Sequence, residues 1–340
     1  MPAPLQNVRA WKPVLEATDE LLSPRVVEGA LRSAGLSRRI FEGPPVFIPY
    51  ALQAEFAENI ARRTGERHFA PFVTSQYGYE GLDLYAKYVL DAPRLDMALV
   101  RGIRALRFLQ SGSSAELRDD GDYLILQFRS GIGSVIGARH IDEGTVVLLI
   151  DFVRHYAGPG WLPEWIELPG DVPSDPTLES SLGAPIRWGA SLPGVAIPGD
   201  VLRALNLSPR DARTATVYRD LRAMVRNRPP RSLAETVRDT LSILASTGDV
   251  SEEAVAKWLG LGRRTLQRHL ASEGYRFRDI LIAFQMDRAA MLLEETDHSV
   301  QEIAYALGYR EVNSFRRAFR KWTGRTPTEY AAVGLVGVLA

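Results

Sequence analysis

Two stretches near the C-terminal end, Val255–Leu270 and Val300–Trp322, repeat one pattern of apolar and polar positions. Each predicts a short helix, a glycine turn and an arginine-rich second helix. Val255 and Leu259, and then Ile303 and Leu307, recur one turn apart on the first helices. Gly260 with Gly262, and Gly308, sit in turns of the same spacing. On the first copy's second helix, Leu266 and Leu270 fall on one face and Arg264, Gln267 and Arg268 on the other. On the second copy's, Val312, Phe315, Phe319 and Trp322 predict a buried stripe, leaving Asn313, Ser314, Arg317 and Lys321 outside. The pattern is a helix-turn-helix drawn twice.

The periodicity predicts a long helix between the copies, Phe277–Glu295, with Ile280, Leu281, Phe284, Ala289, Leu292 and Leu293 on one side. Some 20 helical residues span roughly 30 Å, close to the ~34 Å recurrence of major-groove faces on one side of B-DNA. Serines open three helices: Ser232 and Ser299 with capping-box spacing to Glu235 and Glu302, and Ser251 as a simple cap. Upstream of Ser232, the proline-paired basic stretch Arg226–Arg231 marks a boundary. Residues 1–225 are mixed. Helical patterns cover Tyr50–Thr64, Leu82–Val89, Arg94–Leu109 and His140–Tyr156, and short strands cover Trp165–Leu168 and Ile186–Trp188. Alternating runs at Ala115–Arg118 and Tyr123–Phe128 flank Asp119-Asp-Gly-Asp122, a hairpin signal.

Arg, Gln and Asn on one helix face are the side chains that pair bidentately with guanine and adenine edges. A solvated basic face is the commoner fate of any one amphipathic helix. Two copies, with no acid in either Arg263–Arg268 or Val312–Lys321, favour double-stranded DNA as the partner. The net charge of the 340-residue chain is zero, so global charge says nothing of nucleic acid. Residues 226–340 hold 17 Lys/Arg against 14 Asp/Glu, a small excess that matters only through its clustering. The absence of cysteine excludes disulfides, thiolate metal sites and cysteine nucleophiles, and fits a cytoplasmic protein. The first twenty residues carry Lys12, Glu16, Asp19 and Glu20 and no apolar signal core, and no apolar run approaches the roughly 20 residues that span a bilayer.

The C-terminal hundred residues resemble the AraC/XylS family of bacterial transcription regulators. The carrying segments are GLGRRTLQRHLASEG at 260–274 and IAYALGYREVNSFRRAFRKWTGRTPTEY at 303–330. The second is the more specific, because its Gly-Tyr, Ser-Phe-x-Arg-Ala-Phe and Thr-Gly-x-Thr-Pro-x-Glu-Tyr elements follow the family's order. The resemblance implies two helix-turn-helix units joined by a long helix. It places base contacts on Arg264, Gln267 and Arg268, and on Asn313, Ser314 and Arg317. Arg316 departs from the family, where a small residue is frequent, and adds a phosphate contact. The upstream part resembles the arabinose-binding-type sensor domain found with a subset of these regulators. Gly78-Tyr-Glu-Gly81, Ala92-Pro-Arg-Leu95 with Ala98-Leu99, and Gly183-Ala-Pro-Ile-Arg-Trp188 carry that match. It implies a small-molecule effector and does not identify it.

Catalytic and metal readings find little support. None of His68, His140, His155, His269 and His298 forms an HExxH motif or an i, i+4 pair, and Gly131-Ile-Gly133 lacks dinucleotide spacing. Trp161, Trp165 and Trp188 with Tyr77, Tyr79 and Phe128 are candidates to line an apolar pocket, although most such aromatics are plain core. No cofactor, metal or catalytic residue is assigned, and no residue is assigned to the effector. The expected architecture is an α+β sensor at 1–225, a linker at 226–231 and an all-α DNA-binding domain at 232–340. The expected function is an effector-controlled, sequence-specific regulator, an activator, reading two adjacent major grooves. Arg263, Arg316, Arg320, Lys321 and Arg325 are expected on phosphates. RNA polymerase and a second copy of the chain are further candidate partners; a membrane is not. The alternative is a ligand-independent DNA-binding protein whose N-terminal domain serves only self-association.

Overall fold

The computed structural model describes residues 4–42, 46–172, 176–208, 230, 232–245, 249–295 and 298–331. The chain divides into two compact units, Met1–Pro230 and Arg231–Ala340. Apart from Pro230, the expected linker at 226–231 lies outside the described residues.

The first unit is α+β. Its strands are Leu5–Asn7 (β1), Phe47–Pro49 (β2), Gln110–Ser111 (β3), Ser114–Asp120 (β4), Tyr123–Arg129 (β5), Ile166–Leu168 (β6), Ile186–Trp188 (β7) and Gly194–Pro198 (β8). Its helices are Val8–Leu21 (α1), Pro24–Ser33 (α2), Arg39–Glu42 (α3), Ala51–Thr64 (α4), Phe69–Tyr77 (α5), Asp83–Leu90 (α6), Leu95–Ala105 (α7), Ala138–Ala157 (α8) and Thr177–Leu182 (α9). A small antiparallel sheet has the order β2-β1-β3, and the main sheet the order β4-β5-β8-β6-β7. Only the β6–β7 pair is parallel in the latter. Tyr123 pairs with Asp120 across the expected hairpin, and Gly121 takes the left-handed conformation its turn requires (φ 73°). Val146, Ile150 and Val153 of α8 join the main core with Leu126, Ile166, Val195 and Ile197 of the sheet. The earlier half of α8 lies against α4 and α5. Gly137, which opens α8 at φ 81°, has no room for a side chain: a Cβ there would meet the Ala54 carbonyl oxygen at 2.1 Å.

Among its described residues the second unit is all helical: Leu233–Leu244 (α10), Glu252–Trp258 (α11), Arg263–Ser272 (α12), Phe277–Glu295 (α13), Val300–Ala306 (α14) and Val312–Thr323 (α15). All three expected caps form. The Ser232, Ser251 and Ser299 hydroxyls accept from the backbone N–H of Glu235, Ala254 and Glu302, and Ser299 and Glu302 close a full capping box. Each such cap contributes about 1 kcal/mol. Burial on α13 is two-sided, which the one-sided expectation missed. Ile280 and Phe284 are buried on one face and Met286, Ala289 and Leu293 on the opposite one, where they meet α14 and α15. A helix buried on opposite faces cannot roll or bend freely, so α13 is held as a strut between α10 and the α14–α15 pair.

Candidate nucleic-acid interface

The two helix pairs, α11–α12 and α14–α15, turn at equivalent glycines. Gly260 and Gly308 each follow the first helix by two residues and each has positive φ, 66° and 82°. The turns are not of equal length: Leu259–Gly262 separates one pair and Leu307–Glu311, one residue longer, the other. Beyond the turn, the buried anchors are Leu266 and Leu270 on α12 and Phe315 and Phe319 on α15, all fully buried. Trp322, expected in that stripe, is 44% exposed, because α15 runs past its last packed turn before Gly324 stops it at φ 78°.

Those anchors fix what faces outward. Arg263, Arg264, Gln267 and Arg268 of α12 are exposed, as are Asn313, Arg316, Arg317, Arg320 and Lys321 of α15 and Arg325 beyond it. Ser314 is half-buried. Counting from Leu266 and Phe315, Arg264 corresponds to Asn313, Gln267 to Arg316 and Arg268 to Arg317, while Ser314 corresponds to the half-buried Thr265. Arg316, expected on a phosphate, is thus level with Gln267, each directly following its buried anchor.

Glu252, at the first turn of α11, was not anticipated. One carboxylate oxygen accepts from Arg263 Nε at 2.8 Å and from Gln267 Nε2 at 3.1 Å. It therefore fixes which way the Gln267 amide points and leaves Oε1 turned away from it. Recognising it from sequence would have required seeing that α11 crosses the start of α12. On α15 the outward groups touch one another weakly, Arg316 to Asn313 Oδ1 at 3.5 Å and Arg317 to Ser314 Oγ at 3.4 Å. At the far end of α12, Glu273 accepts from the Leu233 and Ala234 N–H groups at 2.9 and 3.1 Å, placing a carboxylate on the N-terminus of α10.

In the first unit the residues that carried the sensor resemblance are structural. Ala92, Leu95, Ala98 and Leu99 are core, and the N–H of Tyr79, beside Gly78, donates to Asp151 at 2.7 Å. The six aromatics do not converge on one pocket. Tyr79 is in the main core, Phe128 packs with Tyr50, and Trp165 lies against Tyr123 under the Arg187 guanidinium. Trp188 borders a shallow cleft with Arg118 and Glu167, and Tyr77 a separate cavity. Among the described residues, no helix is long and apolar enough to cross a membrane.

Residues 255–332 match the family model of a helix-turn-helix domain, and residues 27–206 that of the arabinose-binding domain of AraC transcription regulator, N-term. The HTH-type transcriptional regulator VirS of Mycobacterium tuberculosis is 32% identical over 163 residues, 47% of this chain and 47% of VirS. The HTH-type transcriptional regulator VqsM of Pseudomonas aeruginosa is 44% identical over 75 residues, 22% of this chain and 23% of VqsM. The alignments thus span about half the length of the first relative and less of the second. The crystal structure of transcriptional regulator CdpR from P. aeruginosa aligns with 91% of this chain and 97% of its own at 19% identity, with a TM-score of 0.41. The sensor-domain model alone covers more than half of the chain, and the helix-turn-helix model covers the paired helices just described: the chain belongs to the AraC family of DNA-binding transcription regulators, which carry an N-terminal ligand-binding domain.

Proposed function

We propose that the chain is a sequence-specific transcriptional activator that lays α12 and α15 in adjacent major grooves under the control of a small-molecule effector bound by the first unit. The observation that carries this reading is the two-sided burial of α13. Its 19 residues span roughly 28 Å, and a helix clamped on both faces holds its two helix pairs at a spacing near one turn of DNA. Arg264 and Arg268 then read guanines, while Gln267 and Asn313 suit adenine. Arg317 and Ser314 complete the base-reading set. Arg263, Arg316, Arg320, Lys321 and Arg325 neutralise phosphates. The position that Arg316 shares with Gln267 brings it to the edge of the groove.

Base and phosphate roles separate experimentally. Arg268→Ala is expected to cost about 1–3 kcal/mol on the selected site and to relax preference at one base pair. Lys321→Ala is expected to weaken all sequences alike and to lower the slope of log affinity against log salt by about one. Selection of bound DNA from a random pool, followed by salt titration of the full-length variants, measures both. Uniform weakening by both substitutions would refute the division of roles.

Effector control requires a ligand that favours one arrangement of the protein over another. Thermal-shift screening of the full chain against metabolites, followed by promoter affinity with each hit, tests it; a reporter fusion gives the sign of regulation. One observation favours self-association as a second reading: Met97, Val100 and Ile103 form an exposed apolar stripe on α7, at 42%, 64% and 40% exposure. A dimer by sedimentation that Val100→Glu dissociates, with no ligand found to alter promoter affinity, would replace the effector reading by that one.

A further inference from the structure

Gln267 stands on α12 between the outward Arg264 and Arg268, exposed to solvent and directly after the buried Leu266. An unrestrained glutamine at such a place reads the major groove ambiguously. Its amide can turn over about the last side-chain bond, so it offers the base either an acceptor or a donor. Adenine presents the N6 amino donor beside the N7 acceptor, guanine two acceptors, and thymine the O4 acceptor beside a methyl group. Selectivity therefore depends on what holds the amide.

The hold comes from Glu252, on the first turn of α11 and 15 residues earlier in the chain. Its Oε2 accepts from Gln267 Nε2 at 3.1 Å. The opposite amide orientation would set Gln267 Oε1 against that oxygen, one acceptor facing another. The same Oε2 accepts from Arg263 Nε at 2.8 Å, which fixes the carboxylate in place. The Glu252 side chain is only 15% exposed, against 62% for Arg263, so little water competes for it. Hydrogen bonds to a carboxylate are also stronger than those between neutral groups. Gln267 keeps two groups for DNA: the second Nε2 hydrogen, and Oε1, to which nothing donates among the described residues. An acceptor beside a donor matches both groups of adenine, meets only acceptors on guanine, and is not met in full by thymine or cytosine.

We propose that Glu252 is a specificity-determining positioning residue, which touches no base and selects adenine by locking the Gln267 amide with its oxygen outward. The inference rests on the proposed base contact of Gln267 and adds the device that decides which base is taken. It also gives Arg263 a divided role: Nε is engaged by Glu252, and only the Nη hydrogens remain for phosphate.

Selection of bound DNA from a random pool, with salt titration of the full-length variants, tests this. Gln267→Ala is expected to make one base pair indifferent, which identifies the pair that Gln267 reads. At that pair Glu252→Ala is expected to lower the discrimination of adenine from guanine and thymine from about tenfold or more toward equality. The freed amide then turns over to donate. Binding of random DNA should tighten at the same time and its salt slope steepen by about one, because the Arg263 charge is no longer balanced. Arg263→Ala, which leaves the Gln267 hydrogen bond in place, should keep the adenine preference and flatten the slope by about one. Glu252→Ala added to Gln267→Ala should relax nothing further. If Glu252→Ala shifts all sequences alike and keeps the preference that Gln267→Ala removes, the inference is overturned while the base contact of Gln267 stands. If Glu252→Ala relaxes several base pairs at once, or loses random DNA as well, the residue supports the helix pair as a whole and the inference is again overturned. If Gln267→Ala alters no preference, the base contact itself falls, and the inference with it.

Discussion

Phe315→Ala is expected to remove about 3–5 kcal/mol from the second unit, as truncation of a buried aromatic does, and with it most of the chain's affinity for DNA. Phe315 is fully buried, with its ring 5.4 Å from Tyr309 and 5.7 Å from Phe319, in a cluster with Met286, Ala289, Ile303 and Leu307. Those partners come from α13, α14 and α15, so one truncation opens a cavity where all three helices of the second reading head meet. Domains are stable by only about 5–15 kcal/mol, so the loss is a large share of the total. The outward side chains Asn313, Arg316 and Arg317 are untouched, yet the helix that aims them loses its seat. Denaturant unfolding of the full-length variant, followed through the transition of the second unit, reads the stability; mobility shift on a two-groove site reads the binding. A cost below 1 kcal/mol would mean that the cluster repacks and that Phe315 is not the anchor of this head. Phe315→Leu, which keeps most of the buried volume, is expected to lose less in both measurements.

The reading heads were legible because their chemistry is local. A serine followed three residues later by glutamate is a complete instruction for a helix start, and Ser299 and Glu302 carry it out with both hydrogen bonds. The strut Phe277–Glu295 has the bounds its periodicity predicts, but its burial on two faces was hidden. A one-sided reading puts Ala289 and Leu293 with Ile280 and Phe284 and passes over Met286, although all three lie on the opposite face, because a helix packed on opposite sides has no single apolar stripe. The central strand β8 escaped for another reason: Gly194–Pro198 is five residues long and ends in a proline, and such a run reads as a turn. Helix α1 escaped because Pro13 interrupts it. Glu252 and His140 escaped because their roles depend on contacts 11 to 82 residues away in sequence. Periodicity reports which face is buried, not what stands opposite it.

The polar groups on the first turns of α8 should show themselves in the pH dependence of the first unit's stability, through two effects of opposite sign. Asp142 is raised from 3.8 to about 7, first by burial and then by the neighbouring Glu143. Its folded state binds a proton more tightly than its unfolded state, so its contribution is fully present below about pH 3.8 and is lost as pH rises to about 7. His140 is lowered from 6.5 to about 4 by burial and by Arg139. Its unfolded state binds the proton more tightly, so its contribution is present above about pH 6.5 and is lost as pH falls to about 4. Over the window they share, the two slopes oppose each other, and the wild-type profile should be shallow. Asp142→Asn removes one of them. Relative to the wild type, the variant is expected to gain stability as pH rises, reaching about 2–4 kcal/mol near neutrality, where the half-buried Asp142 carboxylate would otherwise be ionised. Its own profile should fall on acidification from pH 6.5 to 4 as His140 alone takes up a proton, by on the order of 3 kcal/mol. Glu143, also raised by burial, blunts that fall in both proteins. Urea unfolding of the full chain in half-unit steps from pH 4 to 8, followed through the transition of the first unit, measures both curves. If the variant tracks the wild type across that range, Asp142 is ionised at no cost in the folded protein, and the opposition between it and His140 does not exist.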